Sequence, residues 1–543
     1  MSVECLKFDL TMTASVSKEQ YRLEQEAFVS NHEGTTPQAV IFTLLPTIFS
    51  IILAATTVEV LKKYIYTHKN MRVVVEFMLT IIPTILCCTI LSEYIGSVCV
   101  IIILVSILNM SLVLLKKSND LSLNITAEYL NKQPGTDKIP FITNFRALTN
   151  IITAICILAV DFHIFPRKFA KTEVFGYSLM DTGVGLFILA NALVAPEVRD
   201  FSAYRQVSFL QTLTRNMSKC FRSCIPLLIL GFGRFAVVEY IGYQKHITEY
   251  GVHWNFFITL AIVKLFTSMI TSTISSKYSL LSGIWILCMH EYIMNTKDLK
   301  TLVLRDEPRD DFFSANREGL ISIPGYVGLY FVGVAIGRFI HSTYHLHATS
   351  SINFNIKLSL FKVKGYYVGP LSLLNFKLFM ISALIYFAIL FCNFKISRRL
   401  ANAGYCLWIV ALTTALLSFL VFIQFLLELL NIISWPSDRG NVWIRYKMKM
   451  SKNLPVNLKK HVKSEKEENI EDVYRKSLEI FDAVNYNSLF FFLISNIMTG
   501  IVNMLMYTLY AKQSVALLIL IIYMAVNILS VLILYRLKIP IKL

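Results

Sequence analysis

One stretch of this chain carries most of the residue types that could do chemistry. It reads Asp161-Phe-His-Ile-Phe-Pro-Arg-Lys-Phe-Ala-Lys-Thr-Glu173 and runs on into Gly176-Tyr-Ser-Leu-Met-Asp-Thr-Gly-Val-Gly185. It lies between two hydrophobic spans, where charge is costly to keep, so an ionisable cluster there marks a functional site by default. The bland alternative is a loop whose basic residues touch lipid headgroups. Interleaved aromatics, glycines and paired acids weigh against it. The chain has no Ser-His-Asp order, no nucleophile elbow, no phosphate-binding glycine loop and no metal-ligand spacing. What is available is a carboxylate base and several fixed cations. That set suits attack by a substrate hydroxyl on an already activated acyl group. The carboxylate takes the hydroxyl proton, and a cation or amide stabilises the oxyanion, each such donor being worth about 2.7–4 kcal/mol. A thioester donor needs no metal and no covalent enzyme intermediate, so no bound cofactor is expected.

The elements that must position these residues are membrane helices. Of 543 residues, 55% are hydrophobic and only 16% charged, and the mean hydropathy is +0.57, which excludes a soluble domain of this length. Many runs reach the roughly 20 apolar residues that cross a bilayer as helix. Strands of a barrel would alternate polar and apolar, whereas 101–115 and 516–534 are apolar on every face. An all-α polytopic integral membrane protein is therefore expected. About thirteen spans are predicted, at 40–58, 73–91, 96–115, 147–161, 177–195, 223–241, 255–272, 278–293, 323–340, 370–392, 403–431, 488–510 and 514–536.

Charge placement orients the bundle. Lys62, Lys63, Lys69 and Arg72 follow span one; Lys116, Lys117, Lys132 and Lys138 follow span three; Arg199, Arg205, Arg215, Lys219 and Arg222 follow span five. With an odd span count these cations share one side with the charged 437–486 segment and the C-terminus, and that side is expected to be cytosolic. The organisation is then a lumenal N-terminal segment 1–39, a membrane domain 40–436, a charged cytosolic loop 437–486, and a membrane domain 487–543 ending in a cytosolic tail. The polar start through Gln38 argues against a cleavable signal peptide. A net charge of +17 fits this bias toward one membrane face, with no nucleic-acid-binding pattern beside it. The ten cysteines form no CxxC pair and read as small buried hydrophobes. One connection breaks the charge rule: Lys395, Arg398 and Arg399 fall on the side that should be poor in cations. Either the count is wrong or these cations serve a purpose.

Under this topology the polar clusters gather on the lumenal side. Besides the first stretch they are 239–257, with His246, Glu249, His253 and Asn255; 316–326; and 397–402, with Arg398, Arg399 and Asn402. A fifth series begins at Asn485 and Asn487 and continues through Asn496 and Asn503, the last two seven apart on one helix face. Asparagines on one face can simply bond neighbouring helices. Together the clusters suggest a shared pocket.

The blocks resemble the glycosylphosphatidylinositol (GPI) inositol acyltransferases of the PIG-W type, the group of the GPI-anchored wall transfer proteins. The first stretch carries the main signature. His246-x-Thr-Glu-Tyr-Gly-Val-His-Trp-Asn-Phe-Phe257, Arg317-Glu-Gly, Gly325-Tyr, Ser397-Arg-Arg-x-Ala-Asn402, Asn485-x-Asn487 and Thr499-Gly-x-Val-Asn503 follow in the same order. The resemblance implies thirteen spans in the endoplasmic reticulum membrane with a lumenal N-terminus. It implies transfer of a fatty acyl chain, usually palmitoyl, from acyl-CoA as co-substrate to the inositol 2-hydroxyl of glucosaminyl-phosphatidylinositol. It also carries the catalytic pair over to Asp161 and Lys171, the carboxylate as base, the lysine orienting it or stabilising the oxyanion. Residues expected to contact substrate are Arg167, Lys168, Asp181, Arg234, His246, Glu249, His253, Asn255, Arg398, Arg399, Asn402, Asn485 and Asn487. Lys168 stands where the family usually has a second arginine, which weakens the case for a bidentate phosphate contact there. Arg398 and Arg399 gain a reason to break the charge rule, as phosphate ligands. No obligate protein partner is evident. Three competing readings are a transporter, for which neither inverted repeats nor paired broken helices are found, a membrane acyltransferase using His253 as its base, and a non-catalytic scaffold subunit.

Overall fold

In the computed structural model the described residues are 18–30, 32–61, 64, 69–115, 139–199, 209–241, 247–296, 299–305, 308–344, 357–358, 361–362, 370–433 and 478–541. They are almost wholly helical; the exception is a hairpin of two-residue strands, Lys357–Leu358 and Phe361–Lys362. The first helices are α1 (Lys18–Val29), α2 (Pro37–Val60), α3 (Asn70–Cys88), α4 (Ile95–Leu115) and α5 (Pro140–Ala159). Next come α6 (Leu179–Ala192), α7 (Phe209–Ile241), α8 (Phe256–Thr273), α9 (Ser279–Thr296) and α10 (Arg317–Tyr344). The last are α11 (Pro370–Phe391), α12 (Ala403–Ile433), α13 (Glu479–Tyr486), α14 (Ser488–Leu505) and α15 (Gln513–Arg536). A helix stands at every place where a span is expected. Ten of them are long and apolar enough to cross a membrane. At 14 residues α6 reaches only about 21 Å, short of a bilayer core.

The outer helices turn large apolar side chains outward: Ile101, Leu104 and Leu108 on α4, Phe376, Phe387 and Phe391 on α11, Ile522 and Leu529 on α15. Water would not tolerate that girdle and hydrocarbon would. This is a polytopic membrane protein. At its centre runs α5, opened by Pro140 at a position where a missing N–H costs nothing. Its Phe141, Phe145, Ile151, Ile155 and Leu158 are fully buried against α6, α12, α13 and α14. The central helix ends two residues before Asp161.

Polar contacts sort the helix ends into two layers. In one layer α13 tucks Ile480, Phe481, Ala483 and Val484 into the core. The buried Glu76 of α3 pairs with Arg72 at 2.8 Å and accepts the Ile480 N–H at 3.0 Å, and Arg536 binds Glu479 at 2.8 Å. The segment expected as a charged loop, 437–486, therefore ends in a buried helix. Residues 434–477 lie outside the described residues. The other layer holds the start of α2, the end of α5, the starts of α6, α8, α10 and α12 and the end of α14, with 160–178 threaded among them. There the N-terminal segment crosses the first polar stretch: Thr35 donates its N–H to the Tyr177 carbonyl at 2.7 Å. The crossing is so close that a Cβ on Gly34 would lie 2.4 Å from that carbonyl oxygen and one on Gly176 2.5 Å from the Glu33 carbonyl oxygen, and both glycines have positive φ. Only glycine serves at either place.

The glycine-rich span expected at 323–340 is a packing choice as well. A Cβ on Gly325 of α10 would sit 2.1 Å from the carbonyl oxygen of Ala401, itself in the left-handed region at φ +44°. Gly325→Val should push α10 off the 397–402 loop and cost about 1–3 kcal/mol. The check is a lower thermal unfolding temperature in detergent, with Gly233→Ala as control because nothing lies within 4 Å of that position.

Candidate active site

Asp161 lies just past the last turn of α5 with 4% of its surface exposed. Its Oδ2 accepts a 2.7 Å hydrogen bond from Nδ2 of Asn503 in the last turn of α14. Burial pushes its carboxyl up to about 6, against the Asn503 hydrogen bond and the positive charges of Arg167 and Lys171. A carboxylate that ionises near 6 at the edge of a hydrophobic bundle has the tuning of a general base.

Lys171 does not hydrogen-bond that carboxylate. Its Nζ donates to Oε2 of Glu249 at 2.6 Å, with about a third of the lysine side chain exposed. An ammonium has three hydrogens, so Glu249 anchors Lys171 without consuming it. Glu249 is anchored in turn by Arg398, whose Nη1 stands 3.5 Å from Oε1. Arg398 also donates from Nε to Oδ1 of Asp181 at 2.8 Å. The second oxygen of Asp181 accepts the backbone N–H and the hydroxyl of Thr172, at 3.0 and 2.7 Å. Burial opposes the charge of Arg398, but the Glu249 and Asp181 carboxylates overcome it and raise the guanidinium above its ordinary value.

The adjacent Arg399 turns into a different network. It reaches the Glu173 and Val303 carbonyls at 3.1 and 3.0 Å and Glu318 at 3.4 Å, and Glu318 is itself gripped by Arg309 at 2.6 Å. Both arginines are thus committed to buried carboxylates. The arginines that break the charge rule therefore have internal counter-charges. Asn402 closes the loop that carries them: its Oδ1 accepts the Ser397 and Tyr405 N–H groups, both at 3.1 Å, and its Nδ2 donates to the Lys395 carbonyl at 2.6 Å.

Other expected site residues have local duties. Arg167 donates to the carbonyls of Val160, Phe162 and Phe165 at 2.9–3.1 Å, closing the frayed end of α5, and stacks over Phe28 at 4.0 Å. Burial lowers it to about 10, with Asp161 opposing. Lys168 pairs with Glu93. Asn255 caps α8, accepting the Phe257 and Ile258 N–H groups and donating to the Gly231 carbonyl at 2.8 Å. His253 packs its ring against Phe235 at 5.3 Å, and its backbone N–H donates to Asn316. Arg234 is exposed on α7, and His246 lies outside the described residues. Asn485 and Asn487 belong to the opposite layer, where Asn487 binds the Ile539 carbonyl and the Ile541 N–H. All of α14, about 27 Å, separates them from Asp161.

Two features escaped sequence reasoning. Residue type and spacing group the fifth polar series as one unit, yet only its last member, Asn503, meets Asp161, while Asn496 bonds its own helix at the Phe492 carbonyl. The carboxylate partners of the arginines were not assigned either, because pairing across 217 residues, as between Arg398 and Asp181, leaves no local spacing.

Fold and site together define a membrane-embedded protein with a buried, ionisable carboxylate at one end of a helix bundle, ringed by paired charges. The sequence matches the GWT1 family over residues 21–534. It is 36% identical to the human glucosaminyl-phosphatidylinositol-acyltransferase PIGW over 418 residues, 76% of this chain and 77% of that protein. It is 32% identical to the mouse protein of the same name over 516 residues, 93% and 95% of the two chains. The GPI-anchored wall transfer protein 1 of Gibberella zeae is 34% identical over 71% of each chain. The chain belongs to the GWT1 family.

Arg398→Ala should strand Asp181 as a buried, uncompensated charge and leave Glu249 to Lys171 alone, at a cost of about 3–5 kcal/mol. The expected result is a large drop in thermal stability and yield. A variant as stable as the wild type, changed only in substrate affinity, would contradict the internal role given to Arg398.

Proposed function

We propose that this chain transfers a fatty acyl group from acyl-CoA to the inositol 2-hydroxyl of glucosaminyl-phosphatidylinositol, an early acylation in GPI-anchor biosynthesis. The observation that carries this reading is Asp161: a buried carboxylate, ionising near 6, at the end of the central helix of a chain whose relatives bear the acyltransferase name. The inositol hydroxyl would hand its proton to Asp161 as its oxygen bonds the thioester carbonyl carbon. Lys171, steadied by Glu249, would offer its remaining N–H groups to the oxygen that gains charge. Collapse of the tetrahedral intermediate then breaks the C–S bond, and the proton passes from Asp161 to the departing thiolate. The acyl chain ends on the inositol, and neither metal nor acyl-enzyme is required.

The orientation belongs to the same proposal. Thirteen crossings would put the N-terminus and the Asp161 layer on the lumenal side of the endoplasmic reticulum membrane and the C-terminus in the cytosol. The alternation of helix ends between the two layers supports it.

Purified protein given palmitoyl-CoA and glucosaminyl-phosphatidylinositol should yield acylated lipid and free CoA; no acylated product would refute the assignment. Asp161→Asn should lower kcat by about 10²–10⁴, whereas His253→Ala, whose ring packs on Phe235 outside the carboxylate cluster, should keep most of the activity. Because the base works ionised, activity should be full above the folded pKa of Asp161 and fade as pH falls through about 6. A rate independent of pH between 5 and 8 (about one to two units either side of that value) would argue against a titrating carboxylate base.

A further inference from the structure

A base beside lipid works only if one of its oxygens is aimed at the acceptor, and the partner of Asp161 is itself held by a chain of hydrogen bonds. Asn503 gives Nδ2 to Asp161 Oδ2 at 2.7 Å, and its Oδ1 accepts from the hydroxyl of Thr508 at 3.1 Å. The Thr508 oxygen lies 3.2 Å from the phenol oxygen of Tyr21 in the N-terminal helix α1, 487 residues away in sequence. That phenol oxygen accepts the backbone N–H of Leu509 at 3.3 Å.

The directions of these bonds are not free. An ionised carboxylate can only accept, so Asn503 turns Nδ2 to Asp161 and Oδ1 to Thr508, and the phenol, which also accepts from Leu509, supplies the hydrogen between Tyr21 and Thr508. The amide oxygen can only accept, so Thr508 spends its hydrogen on Asn503 Oδ1 and itself accepts from the Tyr21 phenol. The two ends of a side-chain amide have nearly the same shape, so its orientation is decided by its hydrogen-bond partners. Among the described residues Asp161 Oδ1 has no hydrogen-bond partner, which leaves that oxygen available to the acceptor hydroxyl.

We infer that Asn503, oriented through Thr508 by Tyr21 of the N-terminal helix, is a positioning residue for Asp161: it occupies Oδ2 and aims Oδ1 at the acceptor hydroxyl. The inference rests on the reading of Asp161 as the base. Arg167 and Lys171 from the following segment and Tyr523 from α15 also act on this carboxylate. The Tyr523 hydroxyl is spent on the Ala154 and Ser495 carbonyls, both at 3.1 Å. Asn503 is then the neutral group that supports the charged form of Asp161 by a direct hydrogen bond. Tyr21 is well placed for its part, wedged edge-on against Tyr507 at 4.5 Å and Tyr510 at 5.7 Å.

The test is the pH profile of kcat/KM for acylation of glucosaminyl-phosphatidylinositol by palmitoyl-CoA in the full-length protein. In Asn503→Ala the acid limb should move up by about one pH unit, so that the rate falls about fivefold at pH 6, nears a tenfold loss below pH 5, and approaches that of the wild type by about pH 9. An equal loss at every pH, or no loss, overturns the inference. Tyr21→Phe keeps the ring between its tyrosine neighbours and removes only the hydroxyl, so it carries the test if Asn503→Ala does not fold. It should move the limb the same way by a smaller amount, and an unmoved limb overturns the role of the chain. Asp161→Asn separates the two levels. If that variant stays active, the reading of Asp161 itself fails. If it is inactive while the limb stays fixed in both other variants, only the present inference fails.

Discussion

A buried guanidinium must be paired, and much of the candidate site follows from how Arg398 meets that requirement. Its two carboxylate partners come from different parts of the chain, Asp181 at the start of α6 and Glu249 just before α8. Pairing both brings those segments together at one end of the bundle. Glu249 can then hold Lys171, and Asp181 can hold the backbone and hydroxyl of Thr172, the next residue. The stretch after α5 is pinned on both sides of its lysine. Removing Arg398 would leave Asp181 buried without a cation, a cost of several kcal/mol that no surface pair carries.

Asp161 lives under a different rule. It has an asparagine for a direct partner, while its cationic neighbours act on it without a hydrogen bond. Asp181, by contrast, is paired directly with the buried guanidinium of Arg398. Asp161 is supported by an amide, and burial pushes its carboxyl up to about 6. Asp181 and Asp161, two aspartates in one polar stretch, thus differ in what holds them, a guanidinium for the first and an amide for the second.

The division of labour also explains which expectations stood. Helices occupy every place where apolar runs predicted spans, because a run of about twenty apolar residues has few other ways to satisfy its backbone in hydrocarbon. The clustering of the first four polar segments was legible too, since parity alone sends alternate connections to the same face. The expected phosphate role of Arg398 and Arg399 could not be judged that way. Composition shows that cations are present, but only coordinates show that carboxylates already hold them. Asn485 and Asn487 were grouped with Asn503 by residue type, and helix length put them about 27 Å apart in depth.

By itself the sequence determined the class of molecule, the positions of its helices, its family, and the two residues to test first. Those are local properties: hydropathy over a window, charge per connection, and motif spacing. Only the tertiary structure decided which acid pairs with which base, that Glu249 rather than Asp161 holds Lys171, and that Asn503 meets the carboxylate. Such pairings join residues up to hundreds of positions apart, and they are chosen by the energy of burying charge together, which no local pattern records.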